Sequence, residues 1–187
     1  KKEVMQEQFE RRNNIQETEK NLERKIQKLQ KEIAEHGSSK DRANIYMALS
    51  SVYLRKGEHL LALEYLELAQ NIATEYQLEE VTADIHYRKG LVYNAFGMLD
   101  LALEQGTLAL SEYERLDKEA EKAKLYNFYA SLYYKQGNQE QTIAYLEKCK
   151  SIYTNLNDKN GLAKIYGNMV VPLLALNKTD KAMEYVN

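Results

Sequence analysis

The sequence predicts an all-α chain of stacked antiparallel helix pairs, and three observations carry that reading. The first is a period. Residues 53–69 read YLRKGEHLLALEYLELA, residues 93–109 read YNAFGMLDLALEQGTLA, and residues 133–149 read YYKQGNQEQTIAYLEKC, each forty positions on from the last. A fourth copy, LLALNKTDKAMEYVN, occupies residues 173–187. The second observation is the turn: Gly57, Gly97 and Gly137 fall in phase and Asn177 takes the fourth place. Both residue types tolerate the positive φ that a tight helix-to-helix turn requires. The third is the alternation of small and large side chains. Ala62, Ala102, Thr142 and Ala182 follow each turn by five residues, and Ala69, Ala109 and Cys149 follow by twelve. Tyr53, Tyr93, Tyr133 and Leu173 precede it by four, and Tyr46, His86, Tyr126 and Tyr166 by eleven. Small residues let helix backbones approach, and large flat ones fill the space between layers. One proline, eight glycines and no tryptophan fit a helical composition.

The elements follow in order. Residues 1–40 form a capping or coiled-coil-like helix. Its stripe Leu22, Ile26, Leu29, Ile33 falls, forty residues on, at Ala62, Leu66, Ala69 and Ala73, so 20–36 has the phase of a second helix. The same spacing serves a dimerising coiled coil, but it lasts only about two heptads. Residues 1–15 carry weaker periodicity (Met5, Phe9, Ile15) and an Arg-Arg-Asn-Asn interruption, so fraying or docking elsewhere is expected there. The array then fills 41–187 as repeats of about 41–80, 81–120, 121–160 and a truncated 161–187. First helices are expected at 41–56, 81–96, 121–136 and 161–176, and second helices at 59–76, 99–116, 139–156 and from 179 onward. The linkers QLEE (77–80), DKEA (117–120) and NDKN (157–160) are short enough to keep neighbours antiparallel. One pair cannot cover its own apolar faces, so pairs stack. Pro172, with Gly161 and Gly167 in the same helix, predicts a bend in repeat four, together with a hollow or contact surface at Val171 and Leu174.

The small–aromatic–Gly–Ala–Ala order of residues 46–69, 86–109, 126–149 and 166–187 resembles the tetratricopeptide repeat. The unit here is forty residues rather than the common 34, and the usual proline after the second helix is absent. This long variety is similar to arrays in bacterial signalling and regulatory proteins. The resemblance implies a right-handed α–α superhelix, a tetratricopeptide solenoid of about 3.5 helix pairs, preceded here by the long N-terminal helix. It also implies a concave groove lined by first helices at places thirteen, ten, six, three and two residues before each turn. Those are Asn44, Met47, Ser51, Leu54 and Arg55; Asp84, Tyr87, Leu91, Asn94 and Ala95; Lys124, Asn127, Ser131, Tyr134 and Lys135; and Lys164, Gly167, Val171, Leu174 and Ala175. The expected protein- or peptide-binding residues among them are Asn44, Ser51, Arg55, Tyr87, Asn94, Lys124, Asn127, Tyr134 and Lys135. Amides hold a peptide backbone through donor and acceptor together, cations take carboxylates, and tyrosines supply rigid contact area. The chaperone-tail clamp of some family members needs Lys and Asn at the ten- and six-before places. Met47/Ser51, Tyr87/Leu91 and Asn127/Ser131 do not supply that pattern.

Nothing points to catalysis, and no cofactor is called for. His36, His59 and His86 lie on different helices or at their ends, and neither HExxH nor a Cys pair occurs, which argues against a metal site. Cys149 takes an alanine's place and reads as a buried small residue. GSSK and NKTDK lack phosphate-loop glycine spacing. At least nine of the fifteen tyrosines recur in repeat phase, which is core behaviour rather than a nucleic-acid face. A net charge of −2 implies neither a nucleic-acid nor an anionic-membrane partner, and no run is apolar enough to span a bilayer. A single cysteine fits a reducing, cytoplasmic compartment. The expected function is a non-enzymatic scaffold that binds a protein or peptide in its groove. The alternative is a sensory or regulatory segment of a larger bacterial signal-transduction protein, a transcription regulator or histidine kinase; Lys at position 1 and the incomplete last helix suit a fragment. A homodimer would use the N-terminal helix or the C-terminal edge.

Overall fold

The computed structural model describes residues 2–35 and 38–186, with side chains from residue 14 onward except at 16, 34, 36, 37 and 187. His36 and the side chains of Met5 and Phe9 lie outside the described residues. Among the described residues there are nine helices and no strand. They are α1 (Lys2–Glu35), α2 (Ser39–Lys56), α3 (His59–Glu75), α4 (Glu79–Ala95), α5 (Leu99–Arg115), α6 (Glu119–Lys135), α7 (Gln139–Asn155), α8 (Lys159–Ala175) and α9 (Thr179–Glu184). Each first helix begins two residues earlier than the periodicity suggests, because the last half of every linker tetrapeptide winds into it. The helix α1 passes through residues 11–14 without a break.

The turns are alike for a backbone reason. Gly57, Gly97 and Gly137 hold φ of 75–78° and Asn177 holds 56°. In each, the following N–H reaches back five residues to close the helix: Glu58 to the Tyr53 carbonyl at 3.0 Å, Met98 to Tyr93 and Asn138 to Tyr133 at 2.9 Å, Lys178 to Leu173 at 2.9 Å. The turns between repeats use the same geometry without glycine. Gln77, Asp117 and Asn157 sit at φ of 53–54°, and the N–H groups of Leu78, Lys118 and Asp158 bond to the carbonyls of Ala73, Tyr113 and Tyr153. Side-chain caps start three helices: Ser38 Oγ accepts from Asp41 N–H, Asn138 Oδ1 from Gln141 and Asp158 Oδ1 from Gly161.

The chain divides into two compact units, Lys1–Arg88 and Lys89–Asn187, with the division inside α4. In the first unit, α1 packs on α2, and α2 on α3. Ile26 is buried, as is Leu66 at the matching repeat position, while Leu22, Leu29 and Ile33 are half-buried. Tyr53 and Tyr65 stack with ring centroids 5.3 Å apart and planes 6° from parallel. In the second unit, α5 packs on α6, α6 on α7, α7 on α8 and α8 on α9. The equivalent stack recurs as Tyr133–Tyr145 at 5.5 Å; in the last repeat Leu173 replaces the first tyrosine, and Tyr185 stacks instead on Tyr166 at 4.8 Å. Ala123, Ala130, Leu146, Cys149, Ile165, Met169, Leu173 and Ala182 form one buried cluster.

Candidate binding face

The small residues of the period do what their size allows. Ala62, Ala69, Ala102 and Ala109 are completely buried, so no side chain keeps the helices apart there. Cys149, at the same place, is equally buried and donates to the Ala123 carbonyl at 3.2 Å. Burial pushes its thiol up to about 12, well above the ordinary 9.0, so it is no nucleophile near neutrality.

In the second unit, α6 and α8 lie with a hollow of about 310 Å³ between them. Its floor is apolar: Ala130, Leu146 and Pro172, with Thr142 beside them and Val171 at the exposed edge. Its rim carries Asn127, Ser131, Tyr134, Gly167 and Asn168. Gly167 has open space where a Cβ would be, so the hollow stays wide on that side. Pro172 does not end α8. The helix continues to Ala175, and Leu176 N–H closes on the carbonyls of Pro172 and Leu173. The lost backbone bond falls in the last turn, and the buried ring becomes part of the floor.

The nine expected groove residues divide between the units. Asn127 and Tyr134 meet at the hollow, and Tyr134 is 45% exposed, free to meet another surface. Lys124 is exposed one turn before Asn127 on the same stripe of α6. Lys135 is exposed and its Nζ donates to Asn94 Oδ1 at 2.9 Å. In the first unit, Asn44 is exposed, while Ser51 is half-buried and donates to the Met47 carbonyl at 3.2 Å. Arg88 also donates to Ser51 Oγ and, at 3.4 Å, to the Met47 carbonyl. Tyr87 is half-buried; burial, aided by Asp84 and opposed by Arg88, raises its phenol above the ordinary 10.0. Arg55 does not join these residues. It lines a separate hollow with Asn14, Ile15, Thr18, Glu19, Leu22 and Lys56, where α1 passes the end of α2. Met47, expected on the wall, is a correction: its side chain is buried at 4% exposure, because α2 turns that position into its own core.

Two residues were missed. Arg88 and Asn168 hold neighbouring first helices together, and Asn168 Nδ2 donates to Asn127 Oδ1 at 2.9 Å. A common offset could have found them, for Arg88–Met47, Lys135–Asn94 and Asn168–Asn127 are each 41 residues apart, one repeat plus one. A side chain one place further along the next first helix is the one that reaches back.

Residues 43–76 and 123–156 match the family model of the tetratricopeptide repeat. These segments are tetratricopeptide repeats. They are repeats one and three of the array, and their starts lie eighty residues apart, two forty-residue units. No curated protein matches the sequence. Among solved structures, the array is similar to BtubC (BKLC) from P. vanneervenii at 26% identity and a TM-score of 0.68, covering 81% of this chain and 63% of that one. It is similar to aspartyl phosphate phosphatase F from Bacillus subtilis at 16% identity and a TM-score of 0.79, covering 90% of this chain and 46% of that one. It is also similar to nearly identical TPR-like repeats from Podosopora anserina, assigned to kinesin light chain, at 16% identity and a TM-score of 0.59, covering 95% and 87%. The array thus spans less than two thirds of the first two relatives. Among the described residues no helix is long and apolar enough to cross a membrane, and no group of three His, Cys, Asp or Glu could hold a metal ion.

Proposed function

We propose that this tetratricopeptide array is a scaffold that binds a protein or peptide segment without catalysing a reaction, and that the face of α6 and α8 is a place where it does so. The observation that carries the reading is the apolar hollow rimmed by amides and a half-exposed tyrosine. Concave apolar sites with a few convergent polar groups are where ligands bind, and aromatic anchors dominate such interfaces. The hollow lies on helices rather than loops, so a partner meets a surface already in shape and the scaffold loses little freedom. Val171→Asp tests it. The side chain is 55% exposed, so the fold is expected to survive, as circular dichroism would report. Capture of a segment selected on the wild-type chain should fall at least tenfold, since a charge would then border the floor; undiminished capture would remove this face from the account.

A second reading is a sensory or regulatory segment of a larger signalling protein. It is favoured by one fact: arrays of this length form a part of BtubC and of aspartyl phosphate phosphatase F, not the whole. An output domain encoded beside these residues would support it, and a gene ending at both borders of the array would oppose it.

A further inference from the structure

Resting on the groove reading above, we infer that the segment taken up between α6 and α8 is acidic: it seats one large apolar side chain in the hollow and carries an Asp or Glu about three residues away. The charges on these helices point that way. The helix α8, Lys159–Ala175, holds Lys159 and Lys164 and no carboxylate at all. In α6 the last carboxylate is Glu121, after which come Lys122, Lys124 and Lys135. The whole chain has a net charge of −2, so this face is basic against the trend of the molecule.

The lysines are not equally available. Lys122 is bound by Glu119 at 2.8 Å, and Lys135 by Asn94 Oδ1 at 2.9 Å. Lys124 and Lys164 occupy one repeat position on successive first helices, both are exposed, and neither is in an ion pair among the described residues. Each stands seven residues before a residue that lines the hollow, Lys124 before Ser131 and Lys164 before Val171. Seven residues of helix span about 10 Å. An extended peptide covers that in about three residues. The backbone between anchor and acid then passes Asn127 and Asn168. Their mutual hydrogen bond uses one donor and one acceptor, which leaves the Asn127 amino group and the Asn168 carbonyl for a peptide C=O and N–H. Phosphates would also attract the two lysines, but a net charge of −2 works against a nucleic acid on the chain as a whole.

A random-peptide display selection on the full chain tests the inference. Enriched peptides should pair a large apolar residue with Asp or Glu about three positions away, and one of them, synthesised with a fluorophore, becomes the probe. Its affinity should fall about tenfold in Lys124→Glu/Lys164→Glu and should weaken as salt rises. Val171→Asp separates the two claims. If it abolishes binding while the lysine reversals leave affinity unchanged, or if enriched peptides are neutral or basic, the acidic partner is overturned and the groove stands. If Val171→Asp has no effect, or no peptide is enriched, the groove reading fails and takes the inference with it. A random single-stranded oligonucleotide that binds more tightly than the acidic probe would also overturn it.

Discussion

Two helix interfaces in the second unit use the same register positions in opposite ways. Where α7 meets α8, Leu146 and Met169 are both fully buried in one cluster. Where α5 meets α6, the matching places hold Gly106 and Tyr129. A Cβ on Gly106 would lie 2.9 Å from both the Cε1 and the hydroxyl oxygen of Tyr129. The tyrosine ring takes the room that a leucine occupies in the next repeat. Gly90 repeats the device: a Cβ there would meet Phe128 at 3.3 Å. What the forty-residue period conserves is the summed volume across an interface, not the residue on either side of it. The family model matches at repeats one and three, where Leu66 and Leu146 stand, and not at repeat two, where Gly106 does.

The largest expected effect comes from emptying the conventional interface. Leu146→Ala should destabilise the chain by about 2–5 kcal/mol, since the side chain is almost fully buried and its loss leaves a cavity in the cluster. Chemical denaturation would measure this, and a loss under about 1 kcal/mol would mean that the α7–α8 interface can collapse. Next is overfilling the other one. Gly106→Leu should cost about 1–3 kcal/mol through the clash with Tyr129, even though helix propensity works about 0.8 kcal/mol the other way. Adding Tyr129→Met imports the α7–α8 pair and should restore most of that loss. If the double variant is no better than the single, the interfaces differ by more than volume, and the comparison above is wrong.

The smallest effect distinguishes Ala109 from Cys149. Burial holds the folded thiol at about 12, whereas an unfolded one ionises near 9.0. The unfolded chain therefore releases its proton first, and this contribution to stability, complete below pH 9, is lost as pH rises toward 12. Buried Tyr129 and half-buried Tyr126 and Tyr145, each raised by burial, act in the same sense from higher pH. Cys149→Ala should flatten the alkaline limb of a stability–pH curve just above pH 9 and leave its shape below pH 8 unchanged. Rapid thiol labelling of the folded chain at pH 8 would contradict the burial that this rests on.

The array was legible because periodicity is a property of the sequence alone. Four turns that need positive φ, seven small residues in phase and the aromatic places between them leave stacked helix pairs as the arrangement in which every apolar stripe is covered. The φ at Gln77, Asp117 and Asn157 was not legible, because none of them is glycine and the closing bonds that hold them exist only once both helices are formed. The face on α6 and α8 was half legible. Asn127, Tyr134 and Lys124 follow from counting back from the turn. Met47 shows where counting stops, since a residue on the boundary between wall and core goes to whichever side has room. The hollow itself, the reach of Asn168 to Asn127 and the exchange of Gly106 for Tyr129 were decided by packing. Sequence order determines which residues share a stripe, but how neighbouring stripes divide the space between them depends on side chains a full repeat away.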